Sequence, residues 1–269
     1  MGFGQGFNRT RVGFKRGFTN LRSESGSGGS GALQMTALQG WNGTARYEET
    51  NAGPPGSTTM SRMIVFVPTS VPVVFNGMAQ VGGFSGVARG WAMDVTSAAV
   101  IRGVIANSTP AFAISPPYTI VTGDVGKVIV WFFTYNGSSV RAFQQTNGVV
   151  AEIGVGTVAT GYTTATATDD YLVGNARSTF DRPAVNLRIV SMAGSDTDAW
   201  DLTEMQAIAD DIRANFKIST AVPGENHRYN AVDALAPGGN WVAASGTNLV
   251  PLGVDPNLIN KITFTPTFR

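Results

Sequence analysis

Few residues in this chain have both the type and the spacing to do chemistry. Asp169 and Asp170 are adjacent, and on a strand, where side chains alternate faces, they would point to opposite sides. Asp196 and Asp198 have the spacing to share a face. They sit in a Gly/Ser stretch, however, where acids favour turns and helix caps. Together with Asp181 they are the acids a loop-bound Ca2+ ion would suit, because that cation takes hard oxygen ligands. No ordered D-x-D-x-D-G loop supports such a site, and no cofactor is expected. His227 is the one histidine, with no serine or acid at a recognisable distance to make it a base. "GDVGKV" over 123–128 is too short for a phosphate-binding loop and leads into a strand, so it reads as a turn. Cysteine is absent, which removes thiol chemistry and disulfides. The inventory points away from an enzyme.

Binding chemistry has more material. Trp41, Tyr47, Tyr118, Tyr162, Tyr171 and Trp241 lie near loops and are eligible to contact a glycan. The competing reading is that they pack in the core or against a neighbour. Trp131, Phe132 and Phe133 stand inside an apolar run and are read as core.

The first 22 residues form a third group. Phe3, Phe7, Phe14 and Phe18 each follow a glycine. Arg9, Arg11, Lys15, Arg16 and Arg22 stand among them, and no acid precedes Glu24. The overall net charge is +1, so the rest of the chain carries −4. A secretory signal is not expected, because the apolar core is missing, and the glycines oppose the helix of a mitochondrial presequence. Arginine with phenylalanine could hold phosphates and stack on bases. Nucleic acid is the weaker choice, because the body is acidic and no aromatic platform recurs elsewhere. An assembly arm fits better: guanidinium forks pair with carboxylates, and phenylalanines fill pockets of a neighbouring subunit.

The elements that must position these residues read as β-structure. Charged residues are 14% and glycines number 33, against roughly 25% charged and about 7% Gly in ordinary soluble domains. "ALQMTALQGW" (32–41) is a first strand, and "MIVFVPTSVPVVF" (63–75) a pair of short apolar segments. "GWAMDVTSAAVIRGVIAN" (90–107) reads as two strands around a turn near Thr96–Ser97. "KVIVWFFTY" is a buried strand, "NGSS" a hairpin turn, "VRAFQQ" the return strand, "TNG" a second turn and "VVAEIG" a third strand. "DYLVGNA" and "AVNLRIVSMAG" supply two more. One segment has helical spacing: Leu202, Met205, Ile208, Ala209, Ile212 and Phe216, with Asp201 and Glu204 as a capping pair. No apolar run approaches the roughly 18 residues that span a bilayer, and no membrane contact is expected.

The order strand, Asn-Gly turn, return strand, second turn, "YLVGNA", "NLRIVSMAG" and acid-capped "DLTEMQAI" resembles the laminin-G-like, concanavalin A-like lectin/glucanase superfamily. Leu202, Thr203 and Glu204 fit its late motif well, while Trp91 and Met93 fit an earlier strand loosely. The resemblance covers about residues 60–217. It implies an all-β fold, a two-sheet jelly-roll sandwich with one short late α-helix at about 201–216, which the extended N-terminal arm read from composition precedes. Glycanases of that superfamily carry E-x-D-x-E on one strand, and no such triple occurs here.

The expected organisation is an arm (1–22), a Gly/Ser hinge "SESGSGGSG" (23–31), a jelly-roll (32–217) and a loop-rich C-terminal extension with a final strand (218–269). The superfamily occurs in secreted adhesins, glycanases and bacteriophage virion proteins. Without a signal or cysteine, the chain is expected to be made in the host cytoplasm and to end in a virion. There the arm would hold other virion proteins, as capsid decoration or as tail fibre or adaptor, in a homo-oligomer such as a trimer. A host-adhesion module that binds surface glycan is the alternative, and a glycanase ranks third.

Overall fold

The computed structural model describes residues 33–50, 59–82, 90–106, 112–158, 169–177, 181–253 and 259–269. The arm residues from Phe3 to Arg22, the hinge and Tyr162 lie outside them. In chain order the strands begin with β1 (Met35–Gln39), β2 (Arg46–Glu49), β3 (Met60–Pro68), β4 (Asn76–Val81), β5 (Trp91–Val95) and β6 (Val100–Ala106). β7 (Phe112–Ile114), β8 (Tyr118–Thr119), β9 (Ile129–Tyr135), β10 (Ser139–Thr146) and β11 (Val149–Val158) follow. β12 (Tyr171–Val173), β13 (Asn175–Arg177), β14 (Asp181–Pro183) and β15 (Leu187–Ser195) lead to helix α1 (Leu202–Asn215). β16 (Glu225–Ala234), β17 (Trp241–Ser245), β18 (Val250–Leu252) and β19 (Asn260–Phe264) complete the chain.

Two antiparallel sheets face each other. Sheet A runs β11-β10-β9-β3-β15-β1-β19, and β16 and β17 extend it from β15. Sheet B runs β18-β2-β12-β4-β5-β6-β7, with β8 on β6, and β13–β14 form a separate small hairpin. The architecture is the expected two-sheet jelly-roll.

The apolar runs show why sheet A stands at the centre. On β3, Ile64 and Phe66 face sheet B, while Met63, Val65 and Val67 face the other way. On β9, Ile129, Trp131 and Phe133 face inward, and Val130 and Phe132 outward. Both faces are dry, so the strands need no polar alternation. The outward side is closed by α1, through Met205, Ile208, Ala209 and Ile212. Its N-terminus is capped as its sequence requires: Asp201 Oδ1 accepts from the Glu204 N–H at 2.9 Å, and Glu204 Oε2 from the Asp201 N–H at 2.9 Å. Such a cap is worth about 1 kcal/mol. Leu202 does not join the buried stripe and is 48% exposed. It sits in the first turn, before the helix reaches the sheet.

Two expectations are corrected. Residues 218–269 are not a peripheral extension, because Leu33–Arg269 is one compact unit. Val250 pairs with Glu48 in sheet B, Phe264 pairs with Met35 in sheet A, and Tyr229 and Trp241 are fully buried. The strand β16 hides in sequence because it buries polar groups. Asn230 Oδ1 accepts from Ser191 Oγ at 2.8 Å and from the Ile218 N–H at 2.9 Å. Similarly, the second apolar segment of 63–75 is not a strand. Val73 and Val74 are 75% and 47% exposed, and pairing resumes only at Asn76.

A charged clamp closes one end of the sandwich. Arg62, on β3, is 1% exposed and lies 4.5 Å from the centre of the Trp91 ring of sheet B. Its guanidinium donates to the Ser61 and Ser195 carbonyls and to the Asp196 carboxylate. Burial pushes the Asp196 carboxyl up, but the charge and hydrogen bond of Arg62 outweigh it and hold Asp196 below its ordinary value. His227 packs against Tyr171 at 5.1 Å and Tyr229 at 6.0 Å. Gly194 makes room for this cluster: a Cβ there would lie 2.6 Å from the imidazole and 2.8 Å from the Arg62 side chain. Burial, then the Arg62 charge, pushes His227 down to about 3, with Asp196 pulling weakly upward.

That depression sets a pH dependence. The unfolded imidazole takes its proton near pH ~6.5, whereas the folded one resists until about pH 3. Stability is therefore full above ~6.5 and declines as pH falls through that window. Urea unfolding at pH 7 and pH 4.5 should show a loss of about 2 kcal/mol, and His227→Gln should remove most of it. No other histidine exists to confuse the measurement.

Candidate functional site

Four of the six aromatics eligible for glycan contact belong to the core. Trp41, Tyr47, Tyr171 and Trp241 are 3% exposed or less. They form a chain of edge and tilted contacts: Trp41–Tyr47 at 6.1 Å, Tyr47–Trp241 at 5.5 Å, Trp241–Tyr229 at 5.8 Å and Tyr229–Tyr171 at 6.2 Å. Tyr47 and Trp241 tolerate burial because their polar atoms find acceptors, the Gly239 carbonyl at 3.1 Å and the Asn230 carbonyl at 2.7 Å. Tyr118 is partly exposed, but its ring carries the Arg269 guanidinium at 4.4 Å. Its hydroxyl donates to Asp124 Oδ2 at 2.7 Å, and burial with that carboxylate pushes it up to about 12. The hydroxyl and the ring face under Arg269 are thus already engaged. The acids considered for calcium do not gather: Asp196 is committed to Arg62, Asp198 is exposed, and the Asp181 side chain is outside the described set. Among the described residues no three His, Asp or Glu side chains converge to hold a metal ion.

A groove of about 530 Å³ opens beside the N-terminus of α1. It is lined by Phe143, Trp200, Arg141 and Glu152 among others. Trp200 is 2% exposed and donates to the Pro223 carbonyl at 2.8 Å, and Arg141 faces Glu152 at 3.5 Å. Its charged side chains are engaged locally, Arg141 with Glu152 and Asp201 with the helix N-terminus that it caps.

The arrangement that can receive a ligand lies at the end of sheet B, around Phe75. This ring is half-buried. The Arg182 guanidinium lies 4.1 Å from its centre and that of Arg102 5.5 Å. Each component is held by a different element. The β5–β6 hairpin places Arg102 opposite Asp94. Arg102 Nε and Nη2 donate to the two Asp94 oxygens at 2.7 and 3.3 Å. Burial raises Asp94 above the usual carboxylate value, opposed by Arg102 and then by the charge of Arg182. Phe75 is fixed by its neighbour Asn76, which is fully buried. Asn76 Nδ2 donates to the Val74 carbonyl at 2.8 Å, and Asn76 Oδ1 accepts from the Asn186 N–H at 2.9 Å. Arg182 rides on the β13–β14 hairpin, where Asn175 Oδ1 accepts its backbone N–H at 2.6 Å.

The glycine of "YLVGNA" makes that hairpin reachable. Gly174 has φ +80, and a Cβ there would fall 2.0 Å from the Trp41 ring. Only glycine lets the chain turn there, from β12 into the strand that leads to Arg182. Among the described residues the Arg182 guanidinium has no hydrogen-bond acceptor. Arg62, Arg46 and Arg269 each hold a carboxylate. Sequence reasoning missed this patch. The Asp94–Arg102 half was available from the hairpin around Thr96–Ser97, which puts the two on one face. Phe75 and Arg182 are brought together by tertiary contacts alone.

No protein-family profile matches the chain, and no curated protein does. Solved structures do. A Bacteroides ovatus protein provisionally named as carbohydrate binding superposes with a TM-score of 0.57 at 11% identity, over 88% of this chain and 62% of its own. Domains LG4-5 of the mouse laminin alpha1 chain give 0.45 at 12%, over 64% of this chain and 44% of theirs. The heptameric SAP-like pentraxin of Limulus polyphemus gives 0.45 at 11%, over 66% and 82%. The chain thus spans less than two thirds of the Bacteroides protein. At these identities the likeness shows the fold alone, a two-sheet jelly-roll sandwich.

Proposed function

We propose that this chain is a non-catalytic carbohydrate-binding module whose contact surface is the Phe75 patch. The observation that carries this reading is the half-buried Phe75 ring with two guanidiniums on it, each fixed from a separate element. The likeness to the Bacteroides protein supports it at the level of fold. The carboxylates support binding rather than hydrolysis. Glycoside cleavage needs two carboxyl groups free to flank the scissile bond. Here Glu48, Asp94, Asp124, Asp196 and Glu225 are each paired with an arginine. An oligosaccharide array probed with the full chain should give discrete positives. Phe75→Ala should weaken each of them at least tenfold, since it removes the seat of both guanidiniums. An array with no positive above background would end the carbohydrate reading.

The arm favours a second reading, in which the same module is displayed on a virion or other particle and residues 1–22 anchor it. The support is compositional: five cations and four Gly-Phe pairs precede an acidic body. Sedimentation tests it. The full chain should run as an oligomer, and the chain lacking residues 2–22 as a folded, smaller species. Identical sedimentation of the two would remove the arm from assembly.

A further inference from the structure

We infer that the Phe75 patch takes a sugar acid, with its carboxylate received by the Arg182 guanidinium; this rests on the carbohydrate-binding reading above. A neutral sugar recognised by stacking needs an open ring face. Here the Phe75 face is already the seat of Arg182 at 4.1 Å, with Arg102 at 5.5 Å. The ring therefore serves to hold a cation in place, and the group offered to a ligand is the guanidinium.

Three features define what that group would meet. The first is geometry. A guanidinium is a planar fork whose two parallel N–H groups match the two oxygens of a carboxylate. Arg102 already uses its fork on Asp94, so its position is set, while Arg182 has no acceptor among the described residues. The second is charge. Arg102, Arg182 and Asp94 sum to a single positive charge, which suits a ligand with a single negative one. The third is the surround. Val73 and Val74 are 75% and 47% exposed directly beside Phe75, an apolar surface for the C–H face of a pyranose ring. The Asn76–Asn186 lock and the Asn175–Arg182 bond keep the patch rigid, so little ordering is needed on binding.

The test uses the full chain and an array of uronate- and sialate-bearing oligosaccharides. Each is printed beside its methyl ester and beside neutral and sulfated oligosaccharides. The expected result is binding to free acids that falls at least tenfold on esterification, which removes the charge and keeps the shape. Arg182→Ala should abolish the same signals and Arg182→Lys should weaken them, since lysine keeps the charge without the fork. The esters are read with the unaltered protein, so misfolding of a variant cannot hide the answer. Equal binding to acid and ester, or binding confined to neutral sugars, would overturn the sugar-acid assignment and leave the carbohydrate module standing. Stronger binding to sulfated sugars than to carboxylated ones would also overturn it. Silence across the whole array would remove both readings.

Discussion

Everything in this molecule is arranged around a sheet that is dry on both faces. β3, β9 and β15 bury one set of side chains against sheet B and the alternate set against α1 and the C-terminal strands. A strand with no wet face cannot spare positions for ligand contact without opening the core. The constraint extends to register. β15 would present the wrong residues to each side past Ile189, and a bulge between Ile189 and Ser191 resets it. Val190 and Ala193 then face the helix, while Ile189 and Met192 face sheet B. Polar function is thereby displaced to the ends of the sheets and to sheet B.

The Arg62 clamp shows how much polarity the core tolerates. A guanidinium at 1% exposure loses its hydration, and the attraction of one carboxylate recovers that only when the remaining N–H groups are also satisfied. Two backbone carbonyls and the Trp91 face supply most of the remainder, while the buried Nε–H has no acceptor among the described residues. Burial first, and then repulsion by the same cation, keep His227 neutral. The histidine therefore acts as a packing group between two tyrosines and has no proton to exchange near neutral pH.

Local patterns were legible in the sequence where a residue acts through its own neighbours. Asp201 and Glu204 cap α1, and Asn147–Gly148 turn between β10 and β11 with φ of 53° and 87°. The paired strands around Thr96–Ser97 form as well. Legibility ended where distant segments decide. Trp41, Tyr47, Tyr171 and Trp241 flank loops in sequence, yet the sheets fold them onto one another. Tyr229 and Trp241 join that chain of rings from a segment whose polar composition looked like loop. The site follows the same rule: Asp94 and Arg102 are hairpin neighbours, whereas Phe75 and Arg182 meet only because Gly174 turns the chain and Asn186 locks onto Asn76.

Arginine over an aromatic ring recurs in this fold, and its surroundings decide its role. Arg62 over Trp91 is sealed and holds Asp196. Arg269 over Tyr118 holds Asp124 at 2.8 Å and ties down the end of the chain. Arg213 over Phe268 sits in the last turn of α1, where the helix dipole favours a cation. Arg62 and Arg269 thus each have a carboxylate counterpart, and Arg213 lies exposed at the helix end. Phe75 alone among the described rings carries two guanidiniums, and that of Arg182 has no hydrogen-bond acceptor among the described residues, Asp94 reaching it through charge alone. A half-buried cation with no hydrogen-bonded carboxylate among the described residues is destabilising for the fold by itself. Seating it on an aromatic ring and locking its hairpin with Asn175 lessens that cost without removing the charge. The patch is thus held ready for an anion that comes from outside the chain.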